Sequence, residues 1–172
     1  HSFVATNLGI MERISKCFAK KCNKDKSLFS NMSSATGACK VCGGTGYITY
    51  GSELQSQIVL KCKDCRGTGF DKKLQNYRIK DKSILDVWEM TIDDAYEFFL
   101  DIDDNICEIL RSAQKLLLGH LQIGERISSL SGGENIRIKL VAALKGKSEV
   151  YGIDEPFKGL DNSEIFVVVK AL

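Results

Sequence analysis

At 172 residues, 44% hydrophobic and 27% charged, the chain has the composition of a soluble globular protein with room for one medium domain or two small ones, which excludes a disordered tail. No apolar run approaches the roughly 18 residues that cross a bilayer, and the N-terminus lacks the pattern of a signal peptide, so a cytoplasmic protein without membrane contact is expected. The net charge of +2 hides an asymmetry: residues 1 to 90 carry 15 Lys and Arg against 8 Asp and Glu, whereas residues 91 to 172 carry 9 against 14.

Ile10, Met11, Ile14 and Phe18 recur at helical spacing and predict an amphipathic helix from Gly9 to Lys20. Ser27 to Ala38 reads as loop. Tyr47 to Tyr50 and Gln57 to Leu60 read as two short strands around a turn at Gly51-Ser52-Glu53, a β-hairpin bracketed by two cysteine pairs. Cys39-x2-Cys42 and Cys62-x2-Cys65, separated by 19 residues, have the spacing of a tetrahedral zinc site built from four cysteines. Four thiolates leave no open coordination position, so the expected Zn2+ is structural. The glycines after each pair supply the backbone freedom that a tight knuckle needs. Seven cysteines without an export signal agree with a reducing compartment. Cys17, Cys22 and Cys107 lack such partners and read as buried packing residues. Lys61, Lys63 and Arg66 cluster at the second knuckle and are the expected contacts to DNA phosphates, with Tyr47 and Tyr50 as candidates for stacking on bases.

Thr91 before Asp94, and Asp101 before Asp104, predict N-caps of two helices that carry Ala95, Phe98 and Phe99, then Ile106, Ile109, Leu110, Leu116 and Leu117. Beyond Gly124, Ser131-Gly132-Gly133-Glu134 has the form of a capping box at the head of a helix running to about Leu144. The two glycines leave N–H groups accessible, so the positive end of that helix can meet a phosphate oxygen. Val150 to Ile153 reads as an apolar strand ending in Asp154-Glu155-Pro156, and a last helix follows from Asn162, giving a helix, strand, helix order that suggests an α/β layer. Asp154 is placed to hold Mg2+ and Glu155 to polarise an attacking water, which makes Glu155 the expected catalytic residue. Gly146-Lys147-Ser148 echoes the end of a Walker A loop, but the glycine required five positions earlier is Val141 and a strand follows.

The order Leu130 to Glu134, helix, Val150 to Pro156 and Gly159-Leu160-Asp161 resembles the signature, Walker B and D-loop of ABC ATPases. A four-cysteine insertion before the signature resembles the UvrA family, and the likeness continues through Ser2, Ala5, Thr6 and Gly9, Ile84 to Thr91 with Ala95, Phe98 and Phe99, then Arg137, Lys139 and Leu140. That resemblance implies an α/β fold: a partial ABC ATPase cassette, signature helix plus Walker B strand, with an inserted helical segment and a four-cysteine zinc-binding β-hairpin. It implies four segments: 1–30, a helical part of the cassette; 31–80, the zinc-binding insertion; 81–129, a helical signature domain; 130–172, signature, Walker B and D-loop. ATP and Mg2+ are then expected beside Zn2+, with Ser131, Gly132, Gly133, Glu134, Asp154 and Asp161 in nucleotide binding. The implied function is that of an ATP-dependent DNA-binding subunit of nucleotide excision repair. Its implied partners are DNA, the first cassette of the same chain, a second copy in a homodimer and a downstream repair subunit.

No Walker A loop or downstream switch histidine occurs in the chain, and His120 lies upstream of the signature, so a fragment of the C-terminal cassette, inactive alone, is expected. The C-x-x-C-x-G-x-G repeats also resemble those of DnaJ-type chaperones, which gives a zinc-stabilised binding module without ATPase activity as an alternative. The chain departs from the UvrA pattern at Gly51 to Gln55 in the hairpin, Ile136, Gly152 and Asp161. These departures keep a second alternative, a UvrA-like paralogue of the kind linked to drug resistance.

Overall fold

The computed structural model describes residues 2–51, 57–144, 152, 154–155 and 157–171. In chain order the elements are α1 (Val4–Asn7), α2 (Met11–Cys22), β1 (Tyr47–Tyr50), β2 (Ile58–Lys61), β3 (Arg78–Ile79), β4 (Lys82–Ser83), α3 (Ile84–Glu89), α4 (Ile92–Phe99), α5 (Asp104–Lys115), α6 (Gly132–Leu144) and α7 (Asn162–Ala171). They divide into two units, Ile14–Trp88 and a discontinuous one made of His1–Arg13 with Glu89–Leu172. Among the described residues no helix is long and apolar enough to cross a membrane.

In the discontinuous unit, backbone pairing ties the first residues to the segment that leads into the signature. Ile127 N–H donates to Ser2 C=O at 3.0 Å, Val4 to Glu125 at 2.9 Å and Ala5 to Ile123 at 2.7 Å. Val4, Leu8, Ile92, Phe99, Ile106, Leu110, Ile123 and Ile138 are fully buried and form the apolar interior of this unit. Thr91 caps α4 as its sequence predicts, accepting from the Asp94 N–H at 3.0 Å. The cap of α5 is Asp103, not Asp101: its carboxylate accepts from the Ile106 N–H at 2.9 Å. The reason is the turn before it, where Ile102 and Asp103 N–H groups both close on the Phe99 carbonyl and hold Asp101 in the turn that follows α4. Helix α5 stops at Lys115, and Leu117 then enters the left-handed region at φ 59°, so Leu116 and Leu117 lie beyond the helix.

In the continuous unit, α2 starts later than its periodicity predicts because Gly9 sits at φ 69°, outside helical space. Its Ile14 and Phe18 are buried, and the Ser15 hydroxyl donates to the Phe29 carbonyl at 2.7 Å. The expected loop from Ser27 is partly wound: Asp25 caps a short 3-10 turn at Lys26–Phe29 that presses Phe29 against Phe18, with ring centroids 5.6 Å apart, and against Tyr77 at 5.7 Å. Phe70 and Trp88 stack edge to face at 5.2 Å. Strands β1 and β2 pair antiparallel in the register Tyr47↔Lys61 to Tyr50↔Ile58, one residue later in the second strand than the sequence predicts. The expected turn lies at least partly outside the described residues, as do Val150, Tyr151 and Ile153 of the expected Walker B strand; Gly152, which is described, is not in a strand.

The cap assignment has a measurable consequence. Asp103→Ala is expected to lower stability by about 1 kcal/mol, the usual cost of a lost N-cap, while Asp103→Asn and Asp101→Ala cost much less. Urea denaturation of the three variants checks it, and an Asp101→Ala loss equal to that of Asp103→Ala refutes the assignment.

Candidate metal centre and signature site

The two cysteine repeats, Cys39-Lys-Val-Cys42-Gly-Gly-Thr-Gly46 and Cys62-Lys-Asp-Cys65-Arg-Gly-Thr-Gly69, fold as near-copies of one another. Cys39 N–H donates to Gly69 C=O at 2.8 Å, and Cys62 N–H donates to Gly46 C=O at 2.9 Å. Within each knuckle the N–H four residues on donates to the second sulfur, Gly46 to Cys42 at 3.2 Å and Gly69 to Cys65 at 3.4 Å. Thr45 and Thr68 hydroxyls donate to the Cys42 and Cys65 carbonyls at 2.8 and 2.9 Å. The glycines are required where the copies meet. A Cβ on Gly46 would lie 2.2 Å from the Gly67 oxygen, and one on Gly69 would lie 2.2 Å from the Gly44 oxygen.

This framework brings all four sulfurs within 4.8 Å of one another. Cys39 and Cys62 Sγ are 3.9 Å apart and Cys42 and Cys65 Sγ 3.7 Å. A tetrahedral zinc with Zn–S bonds of roughly 2.3 Å sets its sulfurs about 3.8 Å apart, so the set fits that ion. Burial pushes Cys39 up, and burial followed by its bonds with Cys42 and Cys62 pushes Cys65 up to about 12. At Cys62 burial is outweighed by N–H groups of Cys65 and Asp64 and by the neighbouring thiols, so its thiolate is favoured. Cys17, Cys22 and Cys107 lie outside the cluster.

Lys61 and Lys63 border a groove with Val41, Ile48, Tyr50 and Leu60, although the register pairs Lys61 with Tyr47, on the face opposite the last three. Arg66 occupies the turn position that glycine holds in the first knuckle, at φ 54° against 59° for Gly43. Tyr47 is half-buried, whereas Tyr50 is exposed.

At the head of α6 the capping box is present in both directions. Ser131 N–H donates to Glu134 Oε2 at 2.8 Å and Glu134 N–H to Ser131 Oγ at 3.3 Å. His120, which sequence reasoning set aside, meets the other carboxylate oxygen, Nε2 to Oε1, at 2.9 Å. Hydrogen bonds from Ser131 and then His120 hold Glu134 down to about 2. The two signature glycines have different jobs. A Cβ on Gly133 would strike the Lys158 carbonyl oxygen at 1.9 Å, so Gly133 is a packing glycine, while Gly132 is open apart from Lys158 Cδ at 3.9 Å. Beside them lies a cavity of about 540 Å³ lined by His120, Ser131, Glu134, Arg137, Lys158 and Gly159 among others. Arg137 is only 5% exposed, burial lowers its pKa, and among the described residues its Nε and Nη1 have no hydrogen-bond partner.

Asp154 and Glu155 are exposed, and Glu155 accepts from Lys158 Nζ at 2.8 Å, which holds its carboxyl below the usual range. Asp161 accepts from the Ser163 and Glu164 N–H groups at 2.8 and 2.9 Å, and its own N–H donates to Glu164 at 2.9 Å. It therefore forms a second capping box, at the head of α7. The Asp-x-x-Glu spacing was the available signal.

No protein-family model matches the chain. It is similar to UvrABC system protein A of Streptococcus mutans, 33% identical over 79% of this chain and 15% of that protein. With the proteins of the same name from Helicobacter pylori and Thermus thermophilus it is 30% identical over 98% of its length. The chain spans 15 to 19% of the length of these relatives. The crystal structure of UvrA2 from Deinococcus radiodurans superposes on 99% of it, and this chain on 22% of that one, with a TM-score of 0.87 and 30% identity. The α/β fold expected from the sequence is therefore that of UvrA, and its four cysteines are close enough to form a zinc module.

Two outcomes follow from this geometry. Gly69→Ala is expected to lose metal and the folded hairpin, whereas Gly43→Ala, whose added Cβ meets nothing within 4 Å, keeps one Zn2+ per chain; metal analysis of both variants decides it. Because the folded pKa of Glu134 is depressed, its contribution is fully present above about pH 4.5 and is lost as pH falls through about 2. The Tm deficit of Glu134→Gln should accordingly shrink over that window, and a deficit independent of pH would refute the linkage.

Proposed function

Since the chain is UvrA-like along nearly its whole length, we propose that it works as part of an ATP-hydrolysing, DNA-binding subunit of nucleotide excision repair in the cytoplasm. The observation that carries this reading is the head of α6. The Ser131 side chain is held by Glu134, whose N–H donates to its oxygen and whose carboxylate it bonds, and the Gly132 N–H lies in the first helical turn, where backbone donors have no intrahelical acceptor. A phosphate held by another cassette meets both, with the positive end of the helix behind them. Glu134 is a positioning residue in this scheme, and Gly133 lets the Lys158 backbone close on the signature.

Asp154 would hold Mg2+, which would offset phosphate charge, and Glu155 would polarise the water that attacks the γ-phosphate. Glu155 is paired with Lys158, so that contact opens before the carboxylate can act. Asp161 is the D-loop residue facing the partner cassette. Zn2+ on Cys39, Cys42, Cys62 and Cys65 is structural and fixes the base of the hairpin. Lys61, Lys63 and Arg66 contact DNA phosphates irrespective of sequence. The first cassette, a second copy of the protein and a downstream repair subunit are the protein partners.

The 172-residue chain alone is expected to bind ATP weakly and hydrolyse none. In protein containing both cassettes, Glu155→Gln should cut turnover by about a hundredfold or more while ATP stays bound. Steady-state hydrolysis and nucleotide-retention assays read this, and undiminished turnover removes Glu155 from the reaction.

A further inference from the structure

His120 stands on a turn whose backbone is pinned on both sides of it. The first two N–H groups of α4 go to the carbonyls that flank it, Asp93 donating to Gly119 at 3.0 Å and Ile92 to Leu121 at 2.8 Å. Leu118 N–H closes on the Ala113 carbonyl and Leu121 N–H on that of Leu118, each at 3.1 Å, so the turn is tied to the end of α5 as well. Gly119 is required there, since a Cβ would strike the Asp93 carboxylate, which Gln114 Nε2 holds at 2.8 Å. A backbone so restrained delivers the imidazole to one place, with Nε2 2.9 Å from Glu134 Oε1.

Glu134 closes the signature cap, its Oε2 accepting from the Ser131 N–H at 2.8 Å. The same carboxylate opposes a phosphate arriving at the head of α6, because two anions there repel. The other charged groups bordering the cavity are Asp93 of α4, Arg137 of α6, Lys158 and Glu164 of α7, while Gln114 of α5 is neutral. Among the described residues three carboxylates thus face two cations, one of which, Lys158, is spent on Glu155 at 2.8 Å. The lining is negative, and protonation of His120 is the change that relieves it. Histidine is the side chain that changes charge between about pH 5 and 8. The His120 side chain is 63% exposed and open to solvent protons, whereas that of Glu134 is 20% exposed. Glu134 keeps its charge over that range, since its bonds to Ser131 and then His120 hold it down to about 2.

We propose that His120 is a positioning residue for the signature: it holds Glu134 in the cap and, when protonated, offsets its charge, so that a triphosphate presented by another cassette engages the head of α6 more tightly at lower pH. This rests on the phosphate-binding role proposed above for Ser131 and Gly132, and adds to it a residue and a pH dependence. The charges fix the sign. The contribution is complete below the histidine range and is lost as pH rises through it.

The test uses protein with both cassettes and compares kcat/KM for ATP hydrolysis in each variant with that of wild type, at about pH 6 and about pH 8 and constant ionic strength. His120→Ala is expected to lower it about fivefold at the lower pH and no more than about twofold at the higher, the scale of one part-exposed charge-assisted bond. Taking the ratio to wild type cancels groups that titrate in both proteins. His120→Gln, which keeps a donor but no charge, should match wild type at the higher pH and fall short at the lower. In a Glu134→Gln background, removal of His120 should add nothing. A His120→Ala ratio that is the same at both pH values overturns the proposal whatever happens to Tm, since a merely structural loss does not follow the histidine charge. Ser131→Ala separates the two claims. If it causes no loss at either pH, the phosphate role of the signature fails, whereas a loss there beside an unresponsive His120→Ala defeats only the positioning role.

Discussion

Four ionised sulfurs cannot share one small volume without a cation, and the arrangement of residues 39 to 69 follows from that constraint. The backbone brings Cys39, Cys42, Cys62 and Cys65 to within 4.8 Å of one another, yet burial resists ionisation at Cys39 and Cys65. A divalent ion resolves the conflict, since its charge offsets the thiolates and its coordination sphere has room for four of them. The hairpin depends on this. β1 and β2 are a two-stranded ribbon, marginal by itself, and β2 is exposed throughout. What fixes its register is the cluster at its base, where Gly46 and Cys62 are hydrogen-bonded.

The discontinuous unit is governed by a different contact, the approach of the Lys158 carbonyl to Gly133. Because no side chain fits between them, the backbone at Lys158 and helix α6 share a surface, and Lys158 reaches from that surface to Glu155. Among the described residues Lys158 thus links the head of α6 to the Glu155 carboxylate. Buried Arg137, whose Nε and Nη1 have no hydrogen-bond partner among the described residues, borders the same cavity and feels the charges of Glu134 and Glu164. A buried arginine in that state gains from any acceptor brought to it.

Much of this was legible in the sequence. The cysteine spacing named the four clustered sulfurs, because two short x2 knuckles have few ways to converge on one point, and Ser131-x-x-Glu134 specified a reciprocal cap that is present at both bonds. Local rules succeeded where the partner lies within a turn. They failed where a neighbouring turn competes, as at Asp101 and Asp103, where the Phe99 carbonyl collects the N–H groups that would have started the helix earlier. They were silent on long-range partners: nothing in the spacing of His120 shows that it meets Glu134, and nothing at Gly133 shows that it faces Lys158 while Gly132 does not. Asp161 stands in a D-loop-like stretch, and its spacing to Glu164 also announces the helix cap that it forms.

The reciprocal bonding of the two knuckles carries a kinetic implication. Each knuckle takes its backbone acceptor from the other, Cys39 from Gly69 and Cys62 from Gly46, so neither half has a finished shape by itself. A nascent chain that has only the first pair of cysteines lacks the template against which that pair is set. Assembly then waits for closure of the intervening loop, an entropic step that no earlier contact offsets. On this geometry, capture of the proposed Zn2+ is expected to be a single cooperative event.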